Sequence, residues 1–216
     1  MRDIFVNLRI FALTAVLATT ISFTVQAESK VKTIVAFGDS LTAGLGVPLS
    51  DAWPTVLAKS LNAQGLNIRM VNAGVSGDTT AGGRARLGWS LSGADGLPDM
   101  VIVALGGNDA LRGLSPVQAR KNLDAIINEL VRRDIKVLLA GMMAPPNLGV
   151  EYGKALMAIY RDLADKYTVD LYPFILDGVA ADPALNQHDG IHPNSEGHAI
   201  IARRIEPYVR LLLTAD

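Results

Sequence analysis

Cysteine is absent from all 216 positions of this chain. Thiol catalysis and disulfide stabilisation are therefore excluded, and a covalent nucleophile has to be an oxygen or a lysine nitrogen. An excess of either charge is also absent, because 20 lysines and arginines face 21 aspartates and glutamates. Without a net field or a long basic run, nucleic acid is not an expected partner, and small uncharged or weakly charged substrates fit better.

The first 27 residues differ in pattern from the rest. A polar start with two arginines precedes an almost wholly apolar run from Ile10 to Val25, and small residues stand at Val25 and Ala27. The run of about 16 residues is shorter than the roughly 18 expected of a spanning helix, so it favours a cleaved secretory signal over an uncleaved anchor. We expect a signal peptide over 1–27, one domain over 28–216, export to the periplasm or medium, and no stable membrane insertion after cleavage.

Five short apolar segments are predicted as strands, each separated from the next by enough residues for a crossover helix. They are Thr33–Phe37, Ile68–Val71, Met100–Leu105, Lys136–Ala140 and Val169–Leu171. This alternation predicts a parallel sheet covered on both faces, in a three-layer α/β/α domain. Ligands of such sheets bind beyond the carboxyl ends of the strands.

Four helices are predicted from apolar periodicity and capping residues. They are Ala52–Ala63 after a cap at Asp51, a helix from the Ser115–Gln118 capping box to about Arg133, Val150–Tyr167, and a last helix after Asn194-Ser195 with a kink at Pro207. The connections between helices and strands therefore carry the polar motifs of the chain.

Polar and glycine-rich residues follow the first three predicted strands. The three segments are Gly38-Asp39-Ser40, Asn72-Ala73-Gly74 and Gly106-Gly107-Asn108-Asp109. Taken singly, Asp39-Ser40 fits a helix cap and Asn108-Asp109 fits the end of a strand. Together they are expected to converge on one rim, where a serine hydroxyl becomes a nucleophile if a base and an orienting group lie within reach.

The base has to come from three histidines. His198 falls within the last predicted helix, where a packed or surface role is expected. His188 and His192 flank the stretch His188-Asp189-Gly190-Ile191-His192. Asp189 and His192 are three residues apart, so they would meet on one face of a single helical turn, and the carboxylate could hold one ring nitrogen protonated while the other accepts from a serine.

Four ordered blocks of the sequence resemble those of the SGNH/GDSL hydrolase family. The blocks are Gly38-Asp39-Ser40-Leu41, Asn72 to Thr79 with Gly74, Gly106-Gly107-Asn108-Asp109 and Asp189-Gly190-Ile191-His192-Pro193. Within the family, the chain is most similar to the bacterial periplasmic thioesterase I, lysophospholipase and arylesterase group, because Gly106–Gly113 and Gly190–Asn194 are fuller matches than the minimal motif.

The resemblance implies a flavodoxin-like fold with a mostly parallel five-stranded sheet, and an exported serine esterase without metal or cofactor. Its substrates would be small acyl esters, thioesters or lysophospholipids. Ser40 would attack the carbonyl, His192 would act as general base, and Asp189 would orient His192. Acyl length and oligomeric state do not follow from the resemblance.

The resemblance also implies an oxyanion hole, formed by the backbone N–H groups of Ser40 and Gly74 and the side-chain amide of Asn108. Glycine allows a backbone donor to approach closely, and an asparagine amide donates without an ionisable charge. Leu111 and Arg112 resemble the loop that lines the acyl side of the pocket in this group.

Other residues near these motifs are interpreted structurally. We expect Asp39 to hold the turn before Ser40 by accepting hydrogen bonds from local backbone. Six further residues are candidates for shaping the pocket, but core packing explains most tryptophans and methionines better, so they are left out of the predicted site: Trp53, Trp89, Met142, Met143, Pro145 and Pro146.

Two alternative functions remain open. His188 and His192 are spaced like the histidines of a helical zinc motif, which would make the protein a zinc hydrolase. Gly190 and Pro193 oppose the continuous helix that this motif needs. The other alternative is a non-catalytic exported protein that binds a ligand at the same rim.

Overall fold

The computed structural model describes residues 30–94 and 96–214, so the predicted signal peptide lies outside the described residues. Five strands form one sheet: β1 Lys32–Gly38, β2 Ile68–Gly74, β3 Met100–Ala104, β4 Lys136–Ala140 and β5 Asp170–Tyr172. Each of the five predicted strands is confirmed, with its bounds shifted by no more than a few residues.

The order of the strands is β2-β1-β3-β4-β5, and every neighbouring pair is parallel. This is the flavodoxin-like order of a doubly wound sheet, which confirms the predicted three-layer architecture. β3 lies at the centre and all of its side chains are buried, as expected where helices cover both faces. The carboxyl ends of β1, β2 and β3 are therefore neighbours at one edge.

Within the part of the chain that the structure describes, seven α-helices connect and cover these strands. They are α1 Ser40–Ala43, α2 Trp53–Ala63, α3 Thr80–Ser92, α4 Gly107–Leu111, α5 Pro116–Arg132, α6 Val150–Tyr167 and α7 Ser195–Thr214, with a 3-10 turn at Pro146–Leu148. The four predicted helices are confirmed as α2, α5, α6 and α7, whereas α3 was not predicted. α7 continues through Pro207 and buries Ile201, Ile205 and Val209 on the expected stripe.

One predicted helix cap, Asp51, is wrong, and the other, Ser115, is confirmed in position but not in its side-chain bond. The N-cap of α2 is Ala52, and Asp51 instead accepts a hydrogen bond of 2.7 Å from the hydroxyl of Ser195 at the start of α7. Ser115 is the N-cap of α5, but its side chain makes no capping bond, so the box with Gln118 does not form. Both helices have proline in their first turn, where the missing N–H needs no partner.

One hydrophobic cluster includes side chains from both faces of the sheet. Its largest fully buried members include Trp53, Tyr160 and Phe37. The core thus fixes β1 and the residues at its carboxyl end. Within residues 30–94 and 96–214, no helix combines the length and apolar character needed to cross a membrane.

Candidate active site

Ser40 is the first residue of α1 and follows the end of β1 by two positions. The N-cap of this helix is Asp39, whose Oδ1 accepts from the backbone N–H of Leu41 at 3.0 Å. Since Asp39 caps the helix, the hydroxyl of Ser40 is available for another partner. Its Oγ lies 2.9 Å from Nε2 of His192, a residue 152 positions further along the chain.

Asp189 is the second partner of His192. Its Oδ2 lies 2.7 Å from Nδ1 of the imidazole, and its Oδ1 accepts from the backbone N–H groups of His192 and Ile191 at 3.0 and 2.9 Å. The backbone N–H of His192, its ring and the N–H of Ile191 hold the pKa of Asp189 well below its usual range. The carboxylate therefore stays ionised, accepts from Nδ1–H, and leaves Nε2 as the acceptor facing Ser40.

The predicted helical turn around Asp189 and His192 is wrong. Residues 188–192 form a turn, in which Gly190 has the left-handed φ of +69° and the Asp189 side chain accepts from backbone two and three residues ahead. The continuous helix that the zinc motif requires is therefore not formed. Among residues 30–94 and 96–214, no group of three or more acidic and histidine side chains is placed to hold a metal ion.

Gly74 ends β2 and pairs with Gly38 in the register of β1. A Cβ at Gly74 would lie 2.2 Å from the backbone nitrogen of Ala43, so this close approach requires glycine. The N–H of Gly74 donates to Oδ1 of Asn72 at 3.0 Å, and Nδ2 of Asn72 donates to the carbonyl of Thr42 at 2.9 Å. The predicted oxyanion donor is thus hydrogen-bonded to a neutral amide oxygen beside α1.

Asn108 lies in α4, just beyond the end of β3, and its Nδ2 donates to Oδ2 of Asp39 at 3.3 Å. The predicted backbone contact of Asp39 is confirmed at Leu41, but the bond to Asn108 was not predicted. Burial raises the pKa of Asp39 to about 6, against the opposing effects of the Leu41 N–H, the Asn108 amide and the nearby His192 ring. The buried carboxyl is therefore sensitive to pH within the mildly acid range.

Asp109 anchors the neighbouring helix. Its carboxylate is buried and accepts from the backbone N–H and the hydroxyl of Thr80, at 2.8 and 2.6 Å. These bonds fix the start of α3 against α4, which carries Asn108. The sequence suggested only that Asn108-Asp109 marks the end of a strand. The structure shows that Asp109 also holds two helices together.

A cleft of about 560 Å³ opens beside Ser40 and His192. Its lining is mostly apolar and includes Leu111, Met142, Met143, Pro145, Phe174 and Leu176. Leu111, predicted to lie on the acyl side, is part of this lining and is half exposed. Arg112 does not belong to the lining, and its Nη2 donates to the carbonyl of Gly77 at 2.8 Å.

Four cleft residues had been left out of the predicted site: Met142, Met143, Pro145 and Pro146. They follow β4 and therefore lie at the same edge of the sheet as the other motifs. The rule that ligands bind beyond the carboxyl ends of parallel strands could have identified them. The two tryptophans differ from each other. Trp53 is fully buried in the core, whereas Trp89 is 76% exposed on α3.

Serine, histidine and aspartate joined by hydrogen bonds in this order form the arrangement of serine hydrolases, which recurs on unrelated folds. Comparison with known proteins agrees with this class. Residues 36–200 match the GDSL-like Lipase/Acylhydrolase family. The chain belongs to this family of ester hydrolases, and the predicted relationship is confirmed.

Three known proteins are similar to this chain over more than four fifths of its length. Esterase TesA of Pseudomonas aeruginosa is 38% identical over 186 residues, or 86% of this chain and 92% of that protein. Thioesterase 1/protease 1/lysophospholipase L1 of Escherichia coli is 38% identical over 181 residues, or 82% and 85%. The crystal structure of AlinE4, an SGNH-hydrolase family esterase, aligns with a TM-score of 0.73 at 46% identity and covers 88% of this chain and 100% of that chain.

Proposed function

We propose that this protein is an exported serine esterase that hydrolyses carboxylic esters through an acyl-enzyme on Ser40. The observation that carries the proposal is the hydrogen-bond series from Ser40 Oγ to His192 Nε2, at 2.9 Å, and from His192 Nδ1 to Asp189 Oδ2, at 2.7 Å. A serine hydroxyl attacks a carbonyl only when a base takes its proton during the attack. Both requirements of such a base, reach and orientation, are met by His192.

The reaction would proceed in two halves. Ser40 Oγ bonds to the carbonyl carbon of the ester while His192 Nε2 takes the hydroxyl proton. His192 then gives this proton to the departing alkoxide or thiolate, and the acyl group remains on Ser40. Water attacks the acyl carbon in the second half, its proton passes to His192 and from there to Ser40, and the carboxylic acid leaves. Asp189 stays ionised and stabilises the imidazolium at each stage.

The negative charge on the carbonyl oxygen would be met by three donors, namely the backbone N–H groups of Ser40 and Gly74 and the amide of Asn108. A charged oxygen is a stronger acceptor than the neutral Oδ1 of Asn72, so it competes for the N–H of Gly74. One amide hydrogen of Asn108 is directed to Asp39, which leaves the other for the substrate. Loss of one such donor typically slows turnover by roughly 10²–10³-fold.

Two solved variants of a relative support the assignment of Ser40 and Asp189. Variants of the esterase AlinE4 replace one serine and one aspartate by alanine. The two replaced positions are as far apart in that chain as Ser40 and Asp189 are in this one. The spacing agrees with corresponding roles in the two chains.

The apolar cleft beside Ser40 supports an acyl chain as the recognised part of the substrate. Burying one methylene group contributes about 0.8 kcal/mol, so a cleft of this lining should favour longer acyl groups until it is filled. The relatives' names include esterase, thioesterase and lysophospholipase. We therefore propose carboxylic esters, acyl thioesters and lysophospholipids as the substrate class, with Leu111 on the acyl side, and periplasmic action after removal of residues 1–27.

The first experiment compares the mature protein, Glu28 to Asp216, with its Ser40→Ala variant on p-nitrophenyl esters of increasing acyl length. Turnover that depends on acyl length and disappears in the variant is expected. A folded parent without turnover, and without covalent labelling by a fluorophosphonate, would instead support the ligand-binding alternative. N-terminal sequencing of the exported protein tests the cleavage site, and retention of Met1 would contradict it.

A further inference from the structure

Arg86 on α3 brings a guanidinium to the carboxyl ends of β1 and β2. Its side chain is only 15% exposed, and Cζ lies 4.4 Å from the centroid of the Phe37 ring. Nε lies 2.5 Å from Oδ2 of Asp78, which is equally sheltered. The ion pair and the ring stacking fix both the position and the plane of the guanidinium.

Three further hydrogen bonds of Arg86 are directed to two backbone carbonyls and one serine hydroxyl. Nη2 donates to the carbonyl of Gly38 at 2.8 Å, and Nη1 donates to the carbonyl of Ala73 at 2.9 Å and to Oγ of Ser90 at 2.9 Å. Gly38 is the last residue of β1, and Ala73 precedes the last residue of β2, Gly74. One planar fork thus connects the ends of the two strands that lead to the proposed oxyanion hole.

The carbonyl of Ala73 and the N–H of Gly74 belong to the same peptide unit. In a planar trans peptide the two groups point in opposite directions, so a fixed carbonyl also fixes the direction of the N–H. Glycine at position 74 has no side chain to hold this plane. A cationic donor on the carbonyl also draws electron density to oxygen and strengthens the N–H as a donor.

We propose that Arg86 is a positioning residue of the oxyanion hole, which acts through the Ala73–Gly74 peptide and the carbonyl of Gly38. The inference rests on the proposed function, in which the N–H of Gly74 stabilises the oxyanion. Arg86 does not line the cleft, so it has no contact with the acyl chain. Its loss should therefore weaken binding of the transition state and leave binding of the ground state unchanged.

Arg86→Lys is the test variant. Lysine keeps the charge and can pair with Asp78, but a single ammonium lacks the fork that spans the carbonyls of Gly38 and Ala73. Ser90→Ala is the matched control, because it removes a hydrogen bond from the same guanidinium and leaves both carbonyl contacts. We expect kcat of Arg86→Lys to fall roughly 10- to 100-fold with KM within about threefold, and kcat of Ser90→Ala to equal that of the parent.

Inhibitor binding separates positioning from a purely structural effect. Ser40 Oγ adds to the carbonyl carbon of an alkyl trifluoromethyl ketone, and the adduct places an oxyanion in the hole. A free fatty acid of the same length occupies the cleft without forming this tetrahedral adduct. We expect the inhibition constant of the ketone to rise by the same factor as kcat/KM falls, and that of the fatty acid to stay constant. Urea unfolding of each variant reports its stability separately.

Several results would overturn the inference. They are a parent-like kcat in Arg86→Lys, equal weakening of ketone and fatty acid, or an equal loss of kcat in Ser90→Ala. Failure of both Arg86→Lys and Arg86→Gln to fold would assign Arg86 to the scaffold alone and would also contradict it. Full activity of Ser40→Ala is a different result, because it contradicts the proposed function whatever the Arg86 variants show.

Discussion

Asp39 and Asn108 are joined by a hydrogen bond across the carboxyl ends of β1 and β3, from Nδ2 of Asn108 to Oδ2 of Asp39 at 3.3 Å. An ionised carboxylate only accepts hydrogen bonds, so it selects the orientation of the amide in which the NH₂ group faces it. The second amide hydrogen is then left for a substrate oxygen. The residue before the proposed nucleophile therefore determines which atom of Asn108 faces the substrate.

Asp39→Asn should make the protein more stable and less active at neutral pH. Because burial raises the pKa of Asp39 to about 6, its stabilising contribution is complete below the unfolded value of about 3.8 and is lost as pH rises through 6. Asparagine stays neutral and caps a helix about as well. The free energy of unfolding of the variant should exceed that of the parent by up to about 3 kcal/mol at pH 7.5, and by almost nothing at pH 4. Urea unfolding at the two pH values measures this difference.

The activity of the same variant tests the orientation of Asn108. A neutral amide at position 39 can donate as well as accept, so it no longer selects one orientation of the Asn108 amide, and kcat should fall at least about tenfold. Asn108→Ala is the reference for complete loss of this donor, with an expected decrease of roughly 10²–10³-fold. Parent-like kcat in both variants would remove Asn108 from the oxyanion hole.

Asp189→Asn and Asp189→Ala should separate the charge of this residue from its role in the turn. Asparagine keeps an oxygen for the N–H groups of Ile191 and His192, so its stability should stay near that of the parent, whereas alanine loses these bonds. Both variants should lose roughly 10²–10⁴-fold in kcat, because neither holds the His192 tautomer in place or stabilises the imidazolium. Thermal melting and ester hydrolysis, measured on the same preparations, provide the comparison.

The low pKa of Asp189 means that its carboxylate stays ionised well below neutral pH. A decline of kcat/KM on mild acidification would therefore not come from Asp189. Asp39, whose pKa is raised to about 6, contributes to such a decline, because its protonation removes the charge that orients the Asn108 amide. The pH profile of kcat/KM, compared between the parent and Asp39→Asn, measures this contribution, which should be absent in the variant.

His198 and Asp39 should change the free energy of unfolding in opposite directions as pH falls. It is buried, its Nδ1 accepts from the backbone N–H of Trp53 at 3.3 Å, and burial lowers its pKa to about 4. A histidine with a depressed pKa stabilises the fold above its unfolded value of 6.5 and loses this contribution as pH falls towards 4, here about 3 kcal/mol. The two contributions nearly cancel in the parent, so urea unfolding of Asp39→Asn should show a steep loss of stability from pH 6.5 to 4.

Ala180→Trp should shorten the preferred acyl group. Ala180 is exposed and lines the cleft, so a tryptophan there fills part of its volume with little effect on the core. We expect kcat/KM for dodecanoyl esters to fall at least about tenfold and that for acetyl esters to change less than about twofold, since only long chains use the lost volume. An equal decrease for both esters would show that Ala180 does not contact the acyl chain.

The strands and the location of the site could be predicted because both follow from local patterns. Runs such as Met100–Ala104 are apolar throughout, as central parallel strands require, and the polar segments after β1, β2 and β3 converge by the geometry of the sheet. The methionines after β4 obey the same rule and were left out because methionine is usually a core residue, which holds for the buried Met142 but not for the exposed Met143.

Features that depend on distant residues could not be predicted. α3 contains Gly82, Gly83 and Gly88 and has only a weak apolar stripe, so its sequence favours a helix poorly. Its start is stabilised by the Thr79 hydroxyl, which accepts from Gly82, and by Asp109 from another helix. The Arg86 contacts and the Asp39–Asn108 bond likewise join segments that no local pattern brings together.

Ser40 and His192, the proposed nucleophile and base, stand 152 residues apart in the chain. At typical synthesis rates of 5–20 residues per second, the ribosome adds His192 roughly 8 to 30 s after Ser40. A partly made chain therefore carries Ser40 without the proposed proton acceptor, and a serine hydroxyl without a base is a poor nucleophile. Under the proposed mechanism, hydrolysis therefore begins only after the turn at residues 188–192 has joined the edge of the sheet that carries Ser40.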